Sequence, residues 1–559
     1  MSFAIFYARE GYDTSSPKLM GRNVAGASFL RGLFRHSKSE TISCFAHSAT
    51  DAMYFDTELK KYGKHGNQPS ITYSSLSNLA EIGGVYYPGP SIGQMANYRV
   101  SATGYNNDWS ICGITHTTSS AQAMDALTDY ITAPLQPWDA VICTSNAVKK
   151  NVEVILQARV NELRERLGIS KIVLPMLPVI PLGINTDDFN YSQDDRASSR
   201  SRLQIDSTEI VVLYAGRLSF HAKAHPLPMY QALQVAAETT NKKVVLIECG
   251  WHANEFIENA FEEAAKTICP SVRAVTLDGR DPKNRDMAWS SADIFCSLSD
   301  NIQETFGIVP LEAMAASLPV VVSDWNGYKE TVRHKIDGFR VPTLSTAPGS
   351  AGDLAHRHAL AIDTYDMYCG HTSSLTAINL PNLIESFQAL FTSTSLREKM
   401  GASGKKRASE LYDWRAIIPV YEELWTQQNE IRNATKKAHS ETKIQDRRKV
   451  WPARIDPTIS FSHYPTASIS ETTRLKLLAP SAVAGLRDLS KYRKLRMVDY
   501  AGYIVPSDEE LALVFEAAER KLPSGCTPKE LLMDIPEVRK PFVMRGIVWL
   551  CKMGLFTFK

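Results

Sequence analysis

Residues 300–322, with the sequence DNIQETFGIVPLEAMAASLPVVV, constrain the fold of this chain more than any other segment. Pro310 suits the first turn of a helix, because the N–H that proline lacks would have no partner there. The apolar run 318–322 that follows is typical of a buried parallel strand. Glu304 and Glu312 lie on either side of the Phe-Gly turn. Two carboxylates and a helix N-terminus are therefore predicted to converge at the carboxyl end of a strand, where open α/β sheets bind ligands.

Each glutamate also has an ordinary structural explanation. The helix dipole would favour Glu304 near the first turn of a helix, and Glu312 would lie half exposed at the edge of the helix face. Against this, Glu312 has only apolar or small neighbours from Leu311 to Ala316, and a carboxylate is rarely buried there without a partner. The two glutamates together favour a ligand-binding site over two unrelated structural roles.

Short apolar runs alternate with helical segments along most of the chain, which predicts an α/β fold with parallel sheets. Strands are predicted at 2–8, 109–114, 140–143 and 179–182 in the first half, and at 209–215, 243–248, 272–277, 292–297 and 318–322 in the second half. A Gly-rich turn opens a helix within 21–33, and the polar residues 191–201 break the pattern between the halves. Two successive doubly wound halves predict two Rossmann-like domains that face a cleft.

Composition narrows the class of protein. A net charge of +2 over 559 residues gives no global electrostatic case for nucleic acid, so none is predicted as a partner. The nine cysteines include no CxxC pair, which argues against a disulfide framework or a structural zinc site. The start MSFAIFYARE has the pattern of a strand rather than a signal peptide, and no apolar run approaches a membrane span. We expect a cytoplasmic protein, with the inner face of the membrane as an alternative location.

The spacing of the glutamates in ETFGIVPLE, followed by AMAASLPVVVSD, resembles the retaining glycosyltransferases of family 4, which have the GT-B fold. The resemblance covers residues 3–425 and leaves out the C-terminal stretch. It implies a hexosyltransferase-like enzyme of the kind used in polysaccharide biosynthesis. Such an enzyme moves a sugar from a UDP- or GDP-linked donor to a glycan, lipid-linked or small-molecule acceptor, with no metal and no further cofactor.

The resemblance also divides the chain into domains. It implies an acceptor-side Rossmann-like domain at 1–205 and a nucleotide-sugar domain at 206–429, whose last helices, near 413–425, cross back onto the first domain. The stretch 430–459 is dense in charge and is predicted as a linker or an exposed helix. Residues 460–559 are predicted as a small, mainly α accessory domain of winged-helix type in outline. Its predicted elements are helices at 508–521, 528–535 and 539–554 and a strand at 555–558.

The segment 214–226, YAGRLSFHAKAHP, places Arg217 and Lys223 after a predicted strand. Two cations there suit a diphosphate, whose charge must be neutralised as it leaves. Solvated surface charge is the ordinary alternative, but the GR…K pattern matches the donor-diphosphate residues of the resembled family. By the same resemblance, Glu304 contacts the hydroxyls of the donor sugar and Glu312 contacts the ribose.

Further donor-site residues follow from the resemblance. Backbone N–H groups at Phe306, Gly307 and Ile308 are expected to hold sugar and phosphate oxygens. His116 matches a histidine that such enzymes place near the donor sugar, and a purely structural role stays open for it. Gly21 lies where the family often has a double glycine, whereas this chain has Gly-Arg. Arg280 lies in a segment whose backbone is expected near the base.

Two other readings of the function stay open. One is another GT-B reaction, such as disaccharide synthesis or phosphorolysis, which would differ in its use of a nucleotide sugar or free phosphate. The other is a non-catalytic sugar-binding regulatory protein. Peripheral membrane contact and protein binding by the accessory domain are expected as further partnerships.

Overall fold

The computed structural model describes residues 3–13, 21–67, 70–441 and 451–559. The chain divides into two compact units, Met1–Trp451 and Pro452–Lys559. The first unit contains two parallel sheets with helices around them, and the second is mainly helical. The predicted α/β architecture with parallel sheets, followed by a small, mainly helical unit, is confirmed.

The first sheet has five parallel strands in the order β2-β1-β3-β4-β5. All their residues are buried, as expected when helices cover both faces. The strands are β1 (Ala4–Tyr7), β2 (Ser43–Ala46), β3 (Gly84–Tyr86), β4 (Ser110–Ile114) and β5 (Ala140–Ile142). The helices are α1 (Gly21–His36), α2 (Ala49–Lys60), α3 (Leu79–Ile82), α4 (Ile92–Thr103), α5 (Ala121–Thr128) and α6 (Asn146–Leu167).

The strand predicted at 179–182 is wrong. In the described structure, this segment and the residues just before it make single bridges in place of a ladder: Met176 with Ala140, and Val179 with Cys143. Prolines at 175, 178 and 181 remove the backbone donors that a continuous ladder would need.

The second sheet has six parallel strands in the order β11-β10-β9-β6-β7-β8. They are β6 (Ile210–Ala215), β7 (Val244–Gly250), β8 (Val272–Asp278), β9 (Ile294–Ser297), β10 (Val320–Ser323) and β11 (Gly338–Val341). A separate antiparallel pair is formed by β12 (Thr343–Ser345) and β13 (Thr376–Ile378). The helices are α7 (Gln193–Arg202), α8 (Leu227–Thr240), α9 (Glu255–Ile268), α10 (Pro282–Ser291), α11 (Ile308–Ala315), α12 (Tyr328–Thr331), α13 (Gly352–Ala359), α14 (Tyr365–Ser373), α15 (Leu380–Thr392) and α16 (Thr394–Arg407).

The polar stretch predicted as a break is helical. Ser192 and Asp195 form a capping box that starts α7. Arg196 and Arg200 of this helix bind Asp293 at 2.6 and 3.2 Å. The helix α7 therefore already packs with the second half of the chain, although it precedes the predicted domain boundary at 205.

The long helix α17 (Trp414–Glu441) returns to the first sheet, as predicted for the end of this region. The Nε2 atom of Gln428 donates to the carbonyls of Ile111 and Trp138 at 2.9 and 2.8 Å. Arg432 is buried and donates to the carbonyl of Asp108 at 2.7 Å. The predicted linker boundary at 430 therefore falls inside a helix whose polar side chains are anchored to the first sheet, while 442–450 lie outside the described residues.

The second unit has a hydrophobic core of its own, in which Leu511, Val543, Ile547 and Leu550 are fully buried. Its two strands, β14 (Leu475–Leu477) and β15 (Phe556–Phe558), pair antiparallel. Its helices are α18 (Pro457–Ser460), α19 (Ala482–Arg493), α20 (Arg496–Asp499), α21 (Asp508–Glu519), α22 (Pro528–Leu531) and α23 (Lys540–Lys552). The mainly helical character is as predicted, and the winged-helix type stays a prediction.

Throughout the described ranges, no helix combines the length and the apolar composition that crossing a bilayer requires.

Candidate functional site

The order of strands in the second sheet creates a crevice beside β6. From β6 the chain proceeds to β7 and β8 on one side, and then returns to place β9 on the other side. The loops after β6 and β9 therefore diverge from neighbouring strand ends, which is the topological switch point where open α/β sheets bind ligands. The loop after β6 carries Arg217 and Lys223, and the loop after β9 carries Glu304.

Lys223 and Glu304 form an ion pair across this crevice. The Lys223 Nζ and the Glu304 Oε2 are 2.5 Å apart, and the side chains are 26% and 11% exposed. Burial by itself would raise the pKa of Glu304. The Lys223 ammonium and the N–H groups of Phe306 and Thr305 more than offset this and hold the pKa below its ordinary value. Glu304 is therefore an ionised hydrogen-bond acceptor at neutral pH.

Arg217 lies beside this pair, as the sequence predicts. Its Nη2 donates to the Ala222 carbonyl at 3.0 Å and to the Gln303 Oε1 at 3.2 Å. Gly216 reaches this turn with φ of +143°, a conformation that favours glycine. Arg217 and Lys223 thus contact the consecutive residues Gln303 and Glu304 and bring two cations to one place.

Close packing fixes the turn before α11. Gly307 has φ of +85°, and a Cβ there would lie 1.8 Å from Cε1 of Tyr328. Phe306 is buried, and its N–H already binds the Glu304 carboxylate. This N–H is therefore not a free donor as predicted, whereas Ile308 begins the helix, where amides lack intrahelical partners.

Glu312 is a partly buried carboxylate in the middle of α11. Burial raises its pKa to about 7, although the positive charge of Arg285 opposes this rise. Among the residues that the structure describes, no side chain or amide donates a hydrogen bond to it. A ligand with hydroxyl donors would supply the missing partners.

The first sheet contributes the loops after β4 and β5. The hydroxyl of Thr305 donates to the carbonyl of His116 at 3.0 Å, and the hydroxyl of Ser145 donates to the carbonyl of Thr305 at 2.9 Å. His116 is therefore brought beside the Glu304 loop through its backbone. The role of its imidazole stays a prediction.

The two remaining predicted site residues are Arg280 and Gly21. The guanidinium of Arg280 binds the Asp278 carboxylate at 2.8 Å and is half exposed, so its charge is already paired. Gly21 is the first residue of α1, and 14–20 before it are outside the described part. Contact of Gly21 or Arg280 with a donor stays a prediction.

Sequence reasoning missed several residues of the crevice. Asp300 is 5% exposed, and burial raises its pKa to about 7. Its Oδ1 has no hydrogen-bond partner among the residues that the structure describes. Tyr365 and Asp366 arrive from α14, far along the chain. The sequence pattern could have pointed to these two residues, because 346–375 interrupt the alternation of strands and helices after β11.

The described residues contain no group of three or more His, Cys, Asp or Glu that could hold a metal ion.

We expect the substitution Glu312→Gln to stabilise the fold at alkaline pH. A carboxyl whose folded-state pKa is raised contributes stability below its ordinary pKa of 4.5, and this contribution is lost as the pH rises through about 7. The variant should therefore gain about 1–2 kcal/mol at pH 8 and nothing near pH 4, after discounting for partial exposure. Thermal unfolding across this pH range tests the effect. The substitution Glu263→Gln, at an exposed position, is the control. If stability depended on pH in the same way in both variants, the raised pKa of Glu312 would be contradicted.

Comparison with known proteins gives matches of limited length. Residues 195–359 match the family Glycosyl transferases group 1. An uncharacterized glycosyltransferase of Methanocaldococcus jannaschii is 29% identical over 165 residues, which cover 29% of this chain and 40% of that relative. The phosphatidyl-myo-inositol mannosyltransferase of Mycobacterium leprae is 32% identical over 160 residues, which cover 28% of this chain and 33% of that relative. The crystal structure of Anabaena HepE in complex with UDP and glucose aligns with 76% of this chain and 99% of its own, at 15% identity and a TM-score of 0.47.

The chain spans two fifths or less of the length of these two curated relatives. The family match contains the whole second sheet together with Arg217, Lys223, Glu304 and Glu312. Residues 195–359 are therefore similar to the Glycosyl transferases group 1 family, in agreement with the resemblance of ETFGIVPLE.

Proposed function

We propose that this chain is a retaining glycosyltransferase of family 4 type that takes its sugar from a nucleotide-sugar donor. The observation that carries the proposal is the Lys223–Glu304 ion pair with Arg217 beside it, at the switch point of the second sheet. A group that combines cations with an ionised carboxylate suits a ligand that has both phosphate oxygens and sugar hydroxyls.

Each charged group has a proposed task. Arg217 and Lys223 bind the diphosphate and stabilise the negative charge that grows on it as the glycosidic bond breaks. The Glu304 carboxylate accepts hydrogen bonds from hydroxyls of the donor sugar. Glu312, which lacks a donor within the described residues, accepts hydrogen bonds from the ribose hydroxyls, as a carboxylate does in many nucleotide-binding sheets.

The proposed chemistry takes place on one face of the sugar. The bond between the anomeric carbon and the diphosphate oxygen breaks, and the acceptor oxygen bonds to that carbon from the same side. The departing phosphate oxygen takes the proton of the acceptor hydroxyl, so the anomeric configuration is retained. In this scheme Arg217, Lys223 and the α11 N-terminus neutralise the diphosphate without a divalent ion.

The acceptor is proposed only as a class. The relatives' names include a mannosyltransferase that acts on phosphatidyl-myo-inositol. The family match lies in residues 195–359, whereas the acceptor is expected at loops of the first sheet. A glycan, lipid-linked or small-molecule acceptor therefore stays the proposal.

Nucleotide binding tests the proposal directly. We expect one of UDP, GDP or ADP, or its sugar conjugate, to raise the melting temperature in EDTA, because a ligand that binds the native state stabilises it. Glu312→Gln should weaken that binding by about 1–3 kcal/mol, through loss of a hydrogen-bonded charge. The absence of any shift at millimolar nucleotide would overturn the proposed donor class. Stabilisation by free phosphate alone would favour phosphorolysis.

A further inference from the structure

The helix α14 belongs to the segment 346–375, whose two ends are held together by strand pairing. Ser345 of β12 pairs with Thr376 of β13, so residues 346–375 leave and re-enter the domain at one place. Within it, Arg357 of α13 binds the Asp363 carboxylate at 2.8 and 2.9 Å, and His371 of α14 contacts the same carboxylate at 3.1 Å. The two helices are thereby held together, so the position of α14 is built into the structure.

The first turn of α14 faces the crevice. The hydroxyl of Tyr365 lies 2.9 Å from Ser119 Oγ and 3.1 Å from Thr117 Oγ1, in the loop of the first sheet that follows His116. One turn later, Gly370 packs so closely on His221 that a Cβ there would lie 2.9 Å from the Cβ of His221. The helix therefore contacts the loops of both sheets that border the candidate site.

Asp366 lies between these two contacts. Its Oδ2 is 3.8 Å from Nη1 of Arg217, which is an ion pair beyond hydrogen-bond distance. The Nη2 of this guanidinium donates to the neutral Ala222 carbonyl and Gln303 amide oxygen. In the described part of the chain, each proposed diphosphate cation thus faces one carboxylate: Glu304 for Lys223 and Asp366 for Arg217. Glu304 is largely buried, whereas Asp366 is 47% exposed.

We propose that Asp366 is a specificity-determining residue that biases the Arg217 site against the free nucleoside diphosphate and in favour of the sugar-linked donor. This inference rests on the proposed function. A free diphosphate carries one more ionisable oxygen than its sugar ester, and so more negative charge near neutral pH. Repulsion by the Asp366 carboxylate grows with the charge of the ligand. The carboxylate therefore weakens binding of the product more than binding of the donor, and it favours product release after transfer.

The test compares two ligands in two variants. Asp366→Asn keeps the size of the side chain and removes its charge. We expect the affinity for a nucleoside diphosphate to rise about three- to tenfold, and the affinity for the matching nucleotide sugar to rise by less. This size corresponds to the repulsion between two charges that are partly exposed to water. Isothermal titration with UDP, GDP or ADP and the corresponding sugar measures both. The difference should shrink as ionic strength increases, because salt screens exposed charges.

Asp353→Asn, on the exposed start of α13, is the matched control and should change neither affinity. Equal affinities of wild type and Asp366→Asn for the diphosphate, or equal gains for both ligands, would overturn the inference. A gain that persists at high salt would also overturn it, since a structural change would be responsible. If the wild type binds no nucleotide, the proposed function fails first, and the two failures are therefore distinguishable.

Discussion

Replacing Lys223 by alanine should lower the rate of sugar transfer by about 100- to 1000-fold, the range seen when a preorganised donor to a developing charge is removed. The Lys223 ammonium is positioned by Glu304 at 2.5 Å, and the Lys223 side chain is 26% exposed, so a ligand in the crevice can approach it. The negative charge on the diphosphate grows as the bond breaks. The loss should therefore be larger in kcat than in the affinity for the donor.

The same substitution removes the partner of a largely buried carboxylate. The pKa of Glu304 should rise in Lys223→Ala, because the Lys223 ammonium is the main group that opposes its burial. The double variant Lys223→Ala/Glu304→Gln separates the two effects, since it leaves no unpaired charge. It should recover stability and stay inactive. Lys266→Ala, on the exposed surface of α9, is the control. Near-normal turnover in folded Lys223→Ala would contradict the proposed role.

Asp139→Ala should destabilise the first unit by about 3–5 kcal/mol, the cost of removing one partner of a buried ion pair. Asp139 and Arg99 are both fully buried and form two parallel hydrogen bonds of 2.8 Å. The same carboxylate accepts the N–H groups of Ile111 and Gln136 at 2.9 and 2.8 Å. One side chain thus joins α4, β4 and the turn before β5.

Thermal or denaturant unfolding measures this effect. Replacing both partners by apolar residues, as in Arg99→Met/Asp139→Leu, restores little stability in this case, since the two backbone N–H groups stay unpaired. Glu162→Ala is the control, because its ion pairs with Arg159 and Arg166 are exposed and should contribute less than about 1 kcal/mol. A similar loss in Asp139→Ala and Glu162→Ala would refute the structural role of the buried pair.

Much of the fold was predictable because buried parallel strands are continuous apolar runs. The runs at 209–215, 243–248 and 318–322 correspond to β6, β7 and β10. The strands β2 and β3 were missed, since each begins with a residue that is not apolar, Ser43 or Gly84, and so contains only a very short apolar run. The run at 179–182 was overpredicted, because apolar character outweighed the effect of the neighbouring prolines on backbone donors.

By itself the sequence determined the local parts of the candidate site. Phe306-Gly307 requires a turn, Pro310 suits the start of α11, and Glu304 and Glu312 follow at set positions around that turn. These features depend on residues close together in the chain. Local sterics and helix geometry are therefore sufficient to place them.

Only the tertiary structure decided which of these groups meet. Lys223 and Glu304 contact because the sheet order puts β9 directly beside β6, although β7 and β8 come between them in the sequence. Asp366 reaches Arg217 because α14 folds back over the crevice. Strand order and helix packing are set by the burial of whole apolar faces, which is a property of the assembled layers and of no single segment.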